Sequence, residues 1–396
     1  MGTSSSKRMK VSSSSSFSSF LRFLLSSLLF VLPCLWLSLG RALTPVDPAQ
    51  ISIAPNIKFQ VVLSTNSNNG NNQPPPPPPP PSLSDLTNTY NPNAKQECES
   101  KAFVYVPNNI IVNHKKGSLT THKIPKIIHQ TSKSRCMTQM FAKVSQKWRN
   151  LPGYDYYFHD DESVMQLLTS HMDEFPLLHD LVQANCLRHG TIRADVWRYL
   201  VLYVYGGIYA DIDTQPTALF FNTTTTPLLK DTDDGWFVVE QFHVLSQYVM
   251  AVSPKHPIMY YAIHHATQKL ATQYDTGKVN AALVTGPHAL HRAFQDFRKD
   301  AGVNVDPQGP GYKPVWAGIF EGTQGRSITV VGRGEHEGEF ITREMMSLPL
   351  KRKQYAKMNM TSFHDDKTER SGQSCLSALY QYHTVHHHRL YKKVSK

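Results

Sequence analysis

The sequence has little of what marks a zinc protein or a multi-spanning membrane protein. It contains only five cysteines in 396 residues, and none of them forms a Cys-x-x-Cys pair of the kind that indicates a zinc site. Charged residues make up only 18% of the chain and apolar residues 40%. This balance excludes a wholly disordered, collagen-like or multi-spanning membrane protein and allows a sizeable globular core.

One apolar run near the N-terminus predicts a membrane segment. Residues 23–39 are uncharged and rich in Leu and Phe, and a membrane span needs about 17 to 25 residues. Because basic residues precede the run, we expect residues 1–22 to be a cytoplasmic tail and residues 23–39 a signal anchor. A cleaved signal peptide is the alternative. Either reading sends the chain into the secretory pathway, and the anchor predicts a single-pass type II protein of the Golgi membrane with a lumenal catalytic domain.

The net charge of +11 does not indicate a nucleic-acid partner. Five of the positive charges precede residue 42, at Lys7, Arg8, Lys10, Arg22 and Arg41. The excess over the remaining chain is modest, so we expect no nucleic-acid binding.

Residues 40–97 are expected to be a disordered, proline-rich stem. The segment has few charges and contains eight consecutive prolines, Pro74 to Pro81. These would extend roughly 25 Å as polyproline II. A spacer between membrane and domain is favoured over an SH3 ligand, because the predicted topology is lumenal. Residues 98–396 then form the globular domain.

Four cysteines remain in the predicted lumenal part: Cys98, Cys136, Cys186 and Cys375. They allow one or two disulfides, and the sequence does not choose among the three full pairings. Sequons at Asn222 and Asn359 fit an exposed secretory protein.

Strand and helix patterns alternate from about Cys98 and predict an α/β fold. The predicted strands are 124–130, 154–159 and 208–210, and the predicted helices are 137–149, 160–171, 191–205 and 257–274. Asp160 is expected to cap the second helix, and Gly206-Gly207 to end the third.

The segment Asp211-Ile212-Asp213 follows the last of these strands. In an extended chain the two carboxylates would point to one side and Ile212 to the core. A divalent cation that holds substrate phosphates is the natural counter-ion for such a pair. On the preceding helix, Asp195 and Arg198 are either a solvent-exposed i,i+3 ion pair or part of the same crevice, where Arg198 or Arg193 meets phosphate.

Four motifs in this order resemble the DxD-containing glycosyltransferase family 32, typified by the yeast Golgi initiating α-1,6-mannosyltransferase and the inositol-phosphoceramide mannosyltransferases. They are IPKIIHQT (124–131), FHDDE (158–162), IRADVWRYL (192–200) and YGGIYADIDT (205–214). Thr285-Gly286-Pro287 resembles a later motif of the family, whereas the His-x-x-Gly-Ser-Trp type of ending is missing.

The resemblance implies a GT-A fold, a Rossmann-like nucleotide-sugar domain, and transfer of a hexose to a glycan or glycolipid acceptor with retention of configuration. It implies Mn²⁺ or Mg²⁺ and a nucleotide-sugar donor, GDP-mannose in the first place and a UDP sugar as the alternative. By motif position, Asp211 and Asp213 would bind the metal and the diphosphate, while Asp195, Arg198 and Tyr209 would contact the donor. Catalysis is expected to depend on the same four charged residues.

Two other functions fit parts of the pattern. A phosphatase of the haloacid dehalogenase type also uses Asp-x-Asp after an apolar strand, but Gln215 stands where its Thr or Val would be. A non-catalytic, stalked sugar-binding protein is the non-enzyme alternative, and Mn²⁺-dependent hydrolysis of a nucleotide sugar would distinguish it. His364 is a candidate third metal ligand, and the basic tail with His386-His387-His388 is expected to be solvated.

Overall fold

The computed structural model describes the globular part of the chain. The described residues are 79–87, 93–106, 122–170, 172–216, 229–239, 243–272, 280–303, 315–331, 341–343, 348–360, 375, 378–379 and 381–385. The chain divides into two compact units, Met1–Pro74 and Pro75–Lys396. The predicted anchor, His364, Asn222 and the histidine-rich tail lie outside the described residues. No helix within the described ranges is long and apolar enough to cross a membrane.

Eleven strands have described bounds. They are β1 (Val104–Tyr105), β2 (Ile127–Thr131), β3 (Cys136–Met137), β4 (Asp155–His159), β5 (Gly207–Ala210), β6 (Thr214–Pro216), β7 (Gly235–Val239), β8 (Leu245–Val252), β9 (Gly318–Glu321), β10 (Ser327–Val331) and β11 (Ile341–Arg343). Seven of them form one mixed sheet in the order β4-β2-β5-β8-β7-β10-β9.

Ten α-helices with described bounds pack around the sheet. They are α1 (Leu83–Thr87), α2 (Ala94–Ser100), α3 (Gln139–Arg149), α4 (Asp161–Thr169), α5 (Pro176–Gln183), α6 (Gly190–Tyr205), α7 (Pro257–Thr272), α8 (Ala281–Val284), α9 (Pro287–Lys299) and α10 (Leu348–Lys357). The predicted α/β class is confirmed.

The sheet lies between two apolar layers. Tyr209 of β5 belongs to the core formed with α6, α7 and α9, whereas its neighbours Ile208 and Ala210 belong to the core formed with α3. Successive side chains of a strand point to opposite faces, so each face of this central strand is covered.

Parallel pairing places three strand ends at one edge of the sheet. β2 pairs in parallel with both β4 and β5, and β8 runs antiparallel to β5. The carboxyl ends of β2, β4 and β5 therefore meet at the edge where ligands bind in α/β sheets. The Asp-x-Asp segment directly follows β5.

Local signals explain the elements around this edge. Asp160 is the N-cap of α4, and its carboxylate accepts a hydrogen bond from the Ser163 amide at 3.0 Å, as the sequence predicted. Gly206 ends α6 with φ of 66°. A Cβ at Gly206 would stand 2.7 Å from Pro254, so only glycine permits this turn from helix into strand.

The stem ends earlier than predicted. Residues of α1 lie within the predicted stem, and Leu86 is fully buried in the core. Arg135 donates to the Thr87 carbonyl at 2.9 Å, and Tyr205 donates to the Pro81 carbonyl. This part of the predicted stem is thus packed on the domain, because Leu83 and Leu86 supply the apolar surface that the preceding proline run lacks.

Two disulfides resolve the pairing that the sequence left open. Cys98 joins Cys136 and Cys186 joins Cys375. The second bridge links the loop before α6 to a segment 189 residues further along the chain.

Candidate active site

The two aspartates of the Asp-x-Asp segment lie in a turn at the end of β5. The Thr214 amide donates to the Asp211 carbonyl at 3.0 Å, and the Thr214 hydroxyl donates to the same carbonyl at 2.7 Å. The prediction of an extended segment is therefore wrong here, because these local hydrogen bonds close a turn. Ile212 does face the core, as predicted. We call Asp211 and Asp213 the acidic pair.

Asp211 is held from the protein side by two groups. The Tyr209 hydroxyl donates to Asp211 Oδ1 at 2.6 Å, and Arg198 Nη1 lies 3.4 Å from the same oxygen. The Arg198 guanidinium also stacks over the Tyr209 ring at 4.7 Å. The Asp211 side chain remains 29% exposed, so its carboxylate is oriented and still accessible.

Asp195 lies behind Arg198 and is fully buried. Its Oδ1 accepts from Gln247 Nε2 at 3.0 Å and lies 3.3 Å from Arg198 Nη2. Its Oδ2 accepts from the Thr285 hydroxyl at 2.8 Å. The solvent-exposed ion pair considered from the sequence is therefore wrong, because both partners are buried.

The electrostatics of this cluster follow from burial. Burial raises the pKa of Asp195 to about 6, against the opposing effects of Arg198 and the Thr285 hydrogen bond. Burial works against the charge of Arg198, but the carboxylates of Asp211 and Asp195 raise its pKa above the usual range. Burial also raises the pKa of Tyr209 well above 10. Tyr209 is therefore a neutral phenol that donates to Asp211, and Arg198 is a permanent cation.

The later Thr-Gly-Pro motif joins the same cluster. Thr285 binds Asp195, and the Tyr199 hydroxyl lies 3.1 Å from the Gly286 carbonyl and 2.8 Å from Gln247 Oε1. Gln247 was not predicted, because it lies within the buried strand β8 and no motif marks it.

Asp213 is covered by helix α10. Its carboxylate is 7% exposed and forms an ion pair with the Lys351 ammonium, and the Tyr355 hydroxyl lies 3.1 Å from the same oxygen, Oδ2. Neither residue was predicted, because both lie far beyond the motifs. The sequence carried one general signal, the basic run Lys351-Arg352-Lys353.

Residues of the first motif, 124–131, hold the turn at Asp211 in place through hydrogen bonds. Gln130 Nε2 donates to the Asp211 carbonyl at 3.2 Å, while its Oε1 accepts from Ser145 at 2.6 Å and from Tyr156 at 3.0 Å. His129 Nε2 lies 3.0 Å from the Gly206 carbonyl. These residues fix the backbone on both sides of β5.

In the second motif, 158–162, the two aspartates form ion pairs with arginines of the protein. Asp161 pairs with Arg193 at 2.6 Å, and Asp160 lies 3.3 Å from Arg135. Arg193, a candidate phosphate ligand by sequence, thus binds a carboxylate of α4.

A hard divalent cation fits the acidic pair by its chemistry. Carboxylate oxygens suit Mg²⁺ and Mn²⁺, which often take only one or two protein ligands beside water and phosphate. No group of three or more His, Cys, Asp or Glu side chains that could hold a metal ion occurs in the described part of the chain. The Lys351 ammonium already balances the charge of Asp213 from the side of α10. These residues fit a cation that takes its other ligands from water and a diphosphate.

The fold and the site together define a class of protein, an α/β protein with an Asp-x-Asp turn at the edge of its sheet. Residues 95–229 match the sequence model of a family described as "Glycosyltransferase sugar-binding region containing DXD motif". The resemblance predicted from the motifs is confirmed over this region.

Curated relatives agree with the match. Inositol phosphoceramide mannosyltransferase 3 of Schizosaccharomyces pombe is 30% identical over 190 residues, which are 48% of this chain and 50% of that protein. The initiation-specific alpha-1,6-mannosyltransferase of the same yeast is 29% identical over 196 residues, 44% and 48% of the two chains. This chain spans about half the length of these relatives.

A third relative and one solved structure are more limited matches. Mannosyl phosphorylinositol ceramide synthase SUR1 of Saccharomyces cerevisiae is 35% identical over 91 residues, 23% of this chain and 22% of that protein. The structure of PaToxG glycosyltransferase aligns with a TM-score of 0.33 at 17% identity, over 53% of this chain and 77% of that one.

Proposed function

We propose that this protein is a metal-dependent glycosyltransferase that moves a hexose, in the first place mannose, from a nucleotide sugar to a glycan or glycolipid acceptor with retention of configuration. The fold that serves this function would be of the GT-A type. The observation that carries the proposal is the accessible, oriented Asp211 carboxylate in an Asp-x-Asp turn, within the region that matches the glycosyltransferase family.

The named reactions of the relatives guide the choice of sugar. The three proteins compared above are all mannosyltransferases or mannosyl-transferring synthases by name. GDP-mannose is therefore the first donor to test, with UDP sugars as the alternative.

The protein's own residues would bind and orient the donor diphosphate. A divalent cation held by Asp211 and Asp213 would neutralise the negative charge that develops as the diphosphate leaves. Arg198, fixed by Tyr209 and Asp195, is a permanent cation beside Asp211 and would add a positive charge that needs no reorganisation. Asp195 would then act by keeping Arg198 in place.

The sequence also supports a place for the reaction. We propose that residues 23–39 anchor the protein in the Golgi membrane with its catalytic domain in the lumen. Carbonate washing of membranes tests this proposal, since an anchored protein stays in the pellet and a cleaved, secreted one appears in the medium.

A donor-hydrolysis panel tests the activity. The full-length protein is incubated with Mn²⁺ and each of GDP-mannose, UDP-galactose and UDP-N-acetylglucosamine, and released nucleotide is measured. We expect one donor to be hydrolysed and Asp213→Asn to abolish the reaction, because it removes a hard anionic ligand with little change in volume.

Asp296→Asn is the matched control. Asp296 pairs with His265 on the protein surface, at 39% side-chain exposure, so the same chemical change there should leave hydrolysis unaltered. Full activity of a folded Asp213→Asn protein would refute the assignment of the acidic pair. Hydrolysis of none of the three donors by the wild type would overturn the proposed hexosyl transfer from these nucleotides.

A further inference from the structure

A basic groove runs along α3, next to residues that support the turn of the acidic pair. It has a volume of about 1180 Å³ and lies between residues 101–106, α3 and α10. Six of its lining residues define it here: Lys101, Lys143, Arg149, Lys357, Phe103 and Tyr105.

The charge of this groove has one sign. Four of the defining residues are cations, and no Asp or Glu is among the described residues that line it. Within the described part of the chain, none of the four cations makes an ion pair, and the buried Nε of Arg149 has no hydrogen-bond partner. Cations gathered without anions repel one another, so a bound anion would relieve an unfavourable arrangement.

The groove also offers two half-buried aromatic rings, Phe103 and Tyr105. Aromatic side chains of this exposure present an apolar face beside polar groups, and the tyrosine adds a hydroxyl. A saccharide ring has matching apolar and hydroxyl-bearing surfaces. The combination of rings and cations therefore fits a sugar that carries negative charge better than it fits a simple anion.

Short contacts connect the groove with the acidic pair. Ser145 lines the groove and donates to Gln130, whose amide binds the Asp211 carbonyl. Gln354 and Lys357 of α10 line the groove, while Tyr355 of the same helix contacts Asp213. Gln130 and helix α10 therefore connect the groove with the candidate active site.

We propose that the basic groove binds the acceptor, and that the acceptor is an anionic saccharide bearing a phosphate or carboxylate group. The inference rests on the proposed function and deepens it by naming the acceptor's chemical class. The anion would lie against Arg149, Lys143 and Lys357, and the sugar ring against Tyr105 and Phe103.

Calorimetric titration of the full-length protein tests the groove directly. The probes are glucose 6-phosphate, glucuronate and neutral glucose, so that the first two arms separate phosphate from carboxylate. We expect one or both anionic probes to bind at least about tenfold more tightly than glucose, and their affinity to fall as salt rises.

Charge removal at exposed positions supplies the variant. In Lys143→Gln/Lys357→Gln both substituted side chains are exposed, so folding should be preserved, and the affinity for the anionic probe should fall by about tenfold. Lys147→Gln is the matched control, because Lys147 lies on α3 and is exposed but does not line the groove. Its affinity should equal that of the wild type.

Three results would overturn the proposal. They are equal affinity for glucose and both anionic probes, an equal loss in the Lys147→Gln control, and displacement of the anionic probe by GDP, which would assign the groove to the donor. If the wild type hydrolyses no donor while the probe still binds selectively, the proposed function fails and the groove's anion selectivity stands.

Discussion

Two buried histidines should make the domain sensitive to mild acid. His129 and His159 are both fully buried, and His129 Nδ1 lies 3.2 Å from His159 Nε2. If His129 Nε2 donates to the Gly206 carbonyl, its Nδ1 is the acceptor for the His159 Nε2 proton. The pair is then satisfied only while both rings are neutral.

The direction of the pH effect follows from the pKa values. Burial lowers the pKa of His129 from 6.5 to about 4, and burial, His129 and Arg135 lower that of His159 well below 6.5. Below about pH 6.5, His129 and His159 therefore bind more protons in the unfolded chain than in the folded chain. Stability from these groups is fully present above the unfolded pKa of 6.5 and is lost as the pH falls toward the folded value.

The size of the effect can be worked out for His129. Between about pH 7 and about pH 5.5, a protein with such a histidine, at an unfolded pKa near 6.5 and a folded pKa of about 4, loses about 1.2 kcal/mol of unfolding free energy. His159 adds a loss in the same direction, because burial, His129 and Arg135 hold its pKa well below 6.5.

Urea unfolding at the two pH values measures this loss, and His159→Gln isolates the part that His159 contributes. Glutamine keeps an amide donor near the position of Nε2 but does not titrate, so the acid-induced loss should be smaller in the variant than in the wild type. His256 and His291, also lowered to about 4 by burial, contribute equally in both proteins and cancel. His383→Gln, at a 47% exposed side chain, is the control. An undiminished loss in His159→Gln would refute the neutral-pair argument.

Two further changes test the turn and the helix that covers it. Lys351→Met should tighten Mn²⁺ binding by about tenfold in calorimetry without nucleotide, because it removes the cation that competes for Asp213. Lys353→Met changes an exposed side chain of the same helix and should leave Mn²⁺ affinity unchanged, whereas weaker binding in Lys351→Met would contradict the competition. Gly206→Ala should lower the unfolding free energy by about 2–4 kcal/mol, since Ala must adopt a positive φ and its Cβ meets Pro254. Gly153 also has a positive φ, of 77°, but a Cβ there would have nothing within 4 Å, so Gly153→Ala should cost only about 1 kcal/mol. Equal losses in the two variants would show that the contact with Pro254 is unimportant.

Periodicity and end signals predicted the elements around the site well. Helix 191–205 is observed as Gly190–Tyr205 and strand 154–159 as Asp155–His159, because apolar spacing, the Asp160 cap and the double glycine all indicate the same boundaries. Strand 124–130 is observed as Ile127–Thr131. Pro125 explains the shift, since proline lacks the amide that a central strand requires.

The sequence patterns did not predict two features of the site, the turn at the acidic pair and its ion pair with Lys351, because both depend on contacts that the patterns do not show. Asp211 and Asp213 belong to a turn because Thr214 binds the Asp211 carbonyl, and a bare Asp-x-Asp pattern does not reveal that competition. Lys351 reaches Asp213 from a helix more than a hundred residues away. No local signal specifies such a pairing, since it depends on how the C-terminal segment packs on the sheet edge.

Thr285→Val tests whether the Thr-Gly-Pro motif works through Asp195. Valine has nearly the shape of threonine but no hydroxyl, so Asp195 Oδ2 would lose its donor at a fully buried position. Leaving a buried charged acceptor unsatisfied costs about 1–3 kcal/mol. We therefore expect a lower melting temperature, by about 2–6 °C for a chain of this size, and weaker donor binding as Arg198 loses part of its support.

Thr267→Val is the matched control for this change. Thr267 is also buried, but its hydroxyl donates to the Ile263 carbonyl within α7, so its loss leaves no charged group unpaired and should change stability by less than about 1 kcal/mol. Differential scanning fluorimetry and donor titration on the same preparations separate the effects. If Thr285→Val melts like its control and binds donor normally, Asp195 does not depend on the motif, and the link from Thr285 through Asp195 and Arg198 to Asp211 is refuted. If Thr285→Val loses stability but keeps donor affinity, the link serves the fold and Arg198 holds its position without it.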